Sequence, residues 1–205
     1  MDKEKIKELE KFAFSNIVNK EIAAYLVADV IGVLIDLKPV MMTGFAGEEI
    51  EHPAKLVVLL EELGLKVKVF YRKIKIEKNE MMVLYLFVSK KKSLAEKTFT
   101  EFFDLWKNMG KDDKPKSQKK WKKQTKKIGE LLGYPKTAVE EFIMDIDVED
   151  EERQKRMKRN RYYAHSKEYE DEEYEAYDKK LNEAVQEYAP KATAQFMKNK
   201  AKKWL

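Results

Sequence analysis

Apolar residues along this chain recur first with a helical period. Ile6, Leu9, Ala13 and Ile17 fall on one face and predict an amphipathic first helix. Asn19 offers an N-cap for a more uniformly apolar helix over about residues 20–35. Residues 37–42 then read as a short extended segment and residues 43–47, Thr-Gly-Phe-Ala-Gly, as a loop. Pro53 suits the first turn of a helix that carries Leu56, Leu59, Leu60 and Leu63 and stops at Gly64.

At Leu65 the period falls to two. Leu65, Val67, Val69 and Tyr71 alternate with Lys66, Lys68, Phe70 and Arg72, and residues 81–88 are apolar enough for a central strand. With a turn at residues 77–80 they predict an antiparallel hairpin over about 65–88. Ser93 with Glu96 has the spacing of a capping box, opening a helix whose apolar face is Leu94, Phe99, Phe102, Phe103 and Trp106. A loop at 111–115 leads to a helix from about Ser117 through Ile128, Leu131 and Leu132 to Gly133. Thr137 with Glu140 predicts a second capping box. Beyond Glu149 only helical stripes remain, with Tyr174, Tyr177, Leu181, Val185 and Tyr188 before Pro190, and Phe196 and Trp204 after it. The pattern predicts an α/β or α+β fold with a small sheet, many helices and a charged C-terminal helical extension. The expected division is a core domain over 1–147 and the extension over 148–205.

Composition narrows the chemistry. Hydrophobic residues are 43% of the 205, enough for a folded core, and charged residues are 39%, mostly Lys and Glu. That bias resembles the surface ion-pair networks of thermophile proteins. No cysteine is present, which excludes disulfides, thiolate zinc sites and cysteine nucleophiles, and two histidines are too few for a multi-histidine metal centre. No cofactor is expected. Residues 1–10 are charged rather than signal-like, and the most apolar window, 22–37, is short for a bilayer and contains Asp29 and Asp36, so a cytoplasmic protein is expected.

The net charge of +5 conceals strong local blocks. Residues 107–127 hold ten lysines against Asp112 and Asp113, with Trp121 among them. Lysines that neutralise phosphates release counterions, and an aromatic side chain among them can stack on a base. Lys111, Lys114, Lys116, Lys119, Lys120, Lys122, Lys123, Lys126 and Lys127 are therefore candidate nucleic-acid contacts, with Trp121 as a stacking residue. Arg156, Arg159 and Arg161 belong to a second basic block. Acidic blocks at 145–152 and 168–175 oppose this reading, because they could pair with the basic ones inside the molecule.

The string Leu132-Gly133-Tyr134-Pro135-Lys136-Thr137-Ala138-Val139-Glu140-Glu141-Phe142 resembles an archaeal family of unknown function with an LGYP motif, a cysteine pair and a V-x-x-F helix. Tyr163-Ala164-His165 matches a downstream histidine of that pattern. Thr137 and Ala138 stand where the cysteine pair would be, and no cysteine follows His165, so any thiol chemistry of the family is excluded here. Cap chemistry explains the motif by itself: Gly133 ends a helix left-handed and Pro135 prevents its continuation.

Other candidates carry less. His165 could contact phosphate or sit exposed on a helix; His52 precedes Pro53 and suits helix entry. Gly44 and Gly47 flank a loop before a helix, but the spacing is neither of the phosphate-loop patterns and Glu48, Glu49 and Glu51 would repel phosphate. Asp145, Asp147, Glu149 and Asp150 lack the glycine and terminal glutamate of a calcium loop. The favoured expectation is a non-enzymatic protein that docks on structured RNA or a ribosomal particle. The alternatives are a protein–protein module or homo-oligomer using the tyrosine-rich C-terminal helices and, third, a divergent enzyme of the cysteine-bearing family.

Overall fold

The first helices begin where short polar side chains satisfy their free amides. In the computed structural model, which describes residues 1–76, 79–110, 115–144 and 170–202, Asp2 accepts from the amides of Glu4 and Lys5 to open α1 (Lys3–Asn16). Asn19 accepts from Glu21 N–H to open α2 (Lys20–Leu34). α1 buries one stripe, Ile6, Leu9, Phe12 and Ala13, whereas α2 is buried on nearly every side, because α1, the sheet and the C-terminal helices pack around it. Each fully buried Leu, Ile or Val of α2 contributes about 1.5–3 kcal/mol.

Strands β1 (Met41–Ala46), β2 (Lys66–Ile76) and β3 (Asn79–Ser89) form an antiparallel sheet in the order β1-β3-β2, with α3 (Pro53–Glu62) connecting β1 to β2. The hairpin runs from the Lys66–Ser89 pair to the Ile76–Asn79 pair, extending the expected alternation further along both strands. The fold class is α+β with many helices. β1 differs from the expected layout, since the strand occupies residues 41–46 and takes in most of the expected loop. Gly44 is opposite Tyr85, and a Cβ there would lie 3.1 Å from the Tyr85 ring, so the glycine makes room for a neighbouring aromatic side chain.

Alternation sends the two faces of the sheet into different packing layers. Met41, Phe45, Leu84, Leu86 and Val88 join the large core with α1, α2 and α3. Met42, Phe70, Tyr85 and Phe87 face α4 (Lys92–Lys107) and α5 (Gln118–Leu131), packing with Ala95, Phe99, Phe102, Trp106 and Ile128. Two expected capping boxes are not used. α4 starts before Ser93, after a turn in which buried Ser89 receives the Lys91 amide and donates its hydroxyl to Pro39 O. α6 (Lys136–Met144) likewise starts before Thr137, whose hydroxyl instead donates to Glu173.

The last helices are α7 (Glu170–Glu173), a π-helical turn (Tyr174–Asp178), α8 (Lys179–Tyr188) and α9 (Pro190–Lys202). Leu181, Val185, Ala189, Ala192 and Phe196 enter the same core as α1 and α2. Glu10 of α1, 4% exposed, accepts from the amides of Lys191 (2.8 Å) and Ala192 (3.0 Å), placing a carboxylate at the positive end of α9. Tyr177 and Tyr188 pack against this core as well.

Candidate nucleic-acid interface

α5 separates its residues by helical period. Ser117 caps it, accepting from the Lys120 amide. Gln124, Ile128 and Gly129 are buried, and Trp121, Thr125 and Leu132 are half-buried on the same side. Lys119, Lys120, Lys123 and Lys127 are exposed on the other side, with half-buried Lys122 and Lys126 along its margins. Trp121 therefore lies on the side of Gln124 and Ile128, not among the outward lysines.

The helix is fixed at both ends. Lys116 N–H donates to Asn108 O at 2.7 Å and Asn108 Nδ2 donates to Ser117 O at 3.0 Å, bringing the end of α4 to the start of α5. At the other end Gly133, at φ +79°, permits a Schellman closure with Tyr134 N–H on Gly129 O (3.0 Å) and Gly133 N–H on Glu130 O (3.2 Å). Close packing against α6 needs Gly129, where a Cβ would come within 2.7 Å of Val139.

Acids of neighbouring helices engage the C-terminal lysines. Lys127 pairs with Glu101 of α4 at 2.9 Å and Lys126 with Glu140 of α6 at 3.0 Å. The hydrogen bond and charge of Lys126 hold the Glu140 carboxyl below the usual range. Lys116 Nζ donates to Lys107 O at 3.0 Å. Among the described residues Lys119, Lys120 and Lys123 make no ion pair, and the first turn of α5 contains no acid. Lys119 and Lys120, in the first turn, oppose the helix dipole at some expense to helix stability, and Lys123 one turn on adds to the local positive potential.

Lys111, Lys114, Arg156, Arg159, Arg161 and His165 lie outside the described residues, as do the acids of 145–152. The glycine loop after β1 is already occupied: Ala46 N–H donates to Glu49 Oε2 at 2.6 Å. His52 takes a left-handed conformation, φ 54°, and makes no side-chain cap bond. Among the described residues no group of three or more His, Asp or Glu is arranged to hold a metal ion.

Sequence reasoning missed a buried ionic junction behind the LGYP motif. Lys38, 6% exposed, forms a salt bridge to Asp29 of α2, and its stem crosses α2 at Gly32, where a Cβ would lie 3.3 Å from it. Gly133 presses on the same loop, leaving no room for a Cβ beside Pro39. Burial pulls the Lys38 pKa down, but the charges of Asp29, Tyr134 and Asp178 and the Asp29 hydrogen bond outweigh it and hold the ammonium above its ordinary value. Burial raises the Tyr134 hydroxyl, against the pull of Lys38. A lysine kept protonated is a poor nucleophile, so this junction is suited to joining elements rather than to Schiff-base chemistry. The visible signals were Asp29 inside an apolar helix and Tyr134 after a helix-ending glycine.

No helix among the described residues is long and apolar enough to cross a membrane. No family model matches the chain, and neither the curated proteins nor the solved structures include one that matches it.

Proposed function

We propose that the protein is a non-enzymatic, cytoplasmic RNA-binding protein that docks on structured RNA, such as a ribosomal particle, through the outward face of α5. The observation that carries this reading is the set Lys119, Lys120 and Lys123: exposed and without an ion pair among the described residues, with Lys119 and Lys120 in the first turn, where the helix dipole disfavours cations. A solvated helix face has no need of that arrangement, whereas phosphates compensate for it directly. Lys116 and Lys127 flank the set, and Lys111, Lys114, Arg156, Arg159 and Arg161 are further candidates by sequence. Contact led by lysine grips the backbone and discriminates little between sequences. Trp121 has a supporting role on the inner side of α5 in this reading, not a stacking one.

The resemblance to the archaeal LGYP family fits the same proposal. In this chain the LGYP string, with Thr137 and Ala138 where the cysteine pair would be, serves as a helix junction that presents α5. The alternative use of Tyr177 and Tyr188 as partner anchors gains no support, because both pack on the protein's own core. Binding of a folded ribosomal RNA fragment at increasing salt tests the reading. A steep loss of affinity with salt, made shallower by replacing Lys119, Lys120 and Lys123 with Glu, is expected. A flat salt response, or a triple variant that binds as the wild type does, overturns it.

A further inference from the structure

A second basic surface lies on α4 and β2, where lysines stand over a row of half-buried rings. Lys116 Nζ reaches Lys107 O, and Lys107 Nζ lies 4.4 Å from the centre of the Phe103 ring. Phe103 stacks on Phe99, with centroids 5.8 Å apart, and Lys68 Nζ lies 5.0 Å from the Phe99 centroid. Lys68 and Lys66 belong to β2, one of the two outer strands of the sheet, and neither makes an ion pair among the described residues. Cations therefore sit over half-buried aromatic faces between α4 and β2, an edge strand of the described sheet.

Resting on the RNA-binding reading, we infer that this row binds a single-stranded RNA segment, with bases packed against Phe103 and Phe99 and phosphates on Lys107, Lys68 and Lys66. Single strands suit the row because their bases are free to stack and every base has a π-face. A base entering over Phe103 displaces the Lys107 ammonium from the ring and leaves it beside the adjoining phosphate. Charge complementarity favours a polyanion over an apolar peptide, and the rings distinguish an unpaired strand from a duplex, whose bases are stacked internally.

The full-length protein is titrated with labelled oligouridine and with an RNA duplex of equal length, for the wild type, Phe103→Leu, Lys66→Glu and Lys68→Glu. Removing the Phe103 ring is expected to weaken oligouridine binding about tenfold while leaving duplex binding unchanged. The two charge reversals are expected to weaken oligouridine binding several-fold. If the folded variants all bind oligouridine as the wild type does, or if the wild type prefers the duplex, the single-strand path is overturned. In that case a loss of duplex binding on replacing Lys119, Lys120 and Lys123 with Glu keeps the broader reading intact. If that replacement also changes nothing for either RNA, both are overturned.

Discussion

At the scale of single residues, the decisive contacts join parts of the chain that are far apart in sequence. Lys38 is held as a cation in the core by Asp29, with Gly32 giving it space and Tyr134 beside it. Asp29→Asn removes the salt-bridge partner of the buried ammonium and is expected to lower stability by about 3–5 kcal/mol in urea unfolding. Asp29→Leu combined with Lys38→Met removes both charges and should recover most of that loss. Because the folded-state pKa of Lys38 lies above its ordinary 10.5, its contribution is fully present below that value and is lost as pH rises through the folded pKa. Tyr134, also raised, acts with the same sign. Unfolding midpoints should therefore hold through neutral pH and fall in strongly alkaline solution, and Lys38→Met should blunt that fall. The sequence made Gly133 legible as a helix end, since the left-handed cap is a local device. Its approach to Pro39 was not legible, because no local pattern encodes which distant loop a cap will touch.

At the scale of elements, α5 combines secure anchoring with an electrostatically unfavourable start. Replacing Lys119 and Lys120 with Glu puts acids in the first turn, which the dipole favours by about 0.3–1 kcal/mol each at low salt. The double variant is expected to melt at a higher temperature than the wild type while binding RNA more weakly. A fall in both would point to lost structure rather than lost phosphate contacts. The cap on α9 works in the opposite direction: Glu10→Ala removes an acceptor from two amides and should cost about 1–2 kcal/mol in chemical unfolding. Long periodic elements were readable in advance, α2 and the β2–β3 hairpin most clearly. Boundaries were less so. The Ser93 and Thr137 patterns matched a cap locally, yet the Ser89 turn let α4 begin ahead of Ser93 and Glu173 took the Thr137 hydroxyl. Gly44 suggested a loop, and pairing with β3 overrode that preference.

At the scale of the whole molecule, a small sheet separates two layers. The N-terminal helices and α8 and α9 pack on one face, and the α4–α5 hairpin covers the other. That arrangement keeps the lysine helix outside the main core and ties its end, through the LGYP turn, to the loop that carries Lys38. Charge blocks in the sequence indicated a basic partner surface. They could not indicate that Lys126 and Lys127 would be engaged by Glu140 and Glu101 while Lys119, Lys120 and Lys123 would meet no acid among the described residues, because that depends on which helices become neighbours. The most direct test of the central claim is the slope of log affinity against log salt for structured RNA, in the wild type and in the Lys119→Glu, Lys120→Glu, Lys123→Glu variant. With three phosphate contacts removed, the slope should become shallower by about 2 to 3, and affinity at low salt should collapse. Equal slopes and equal affinities for the two proteins would contradict the account.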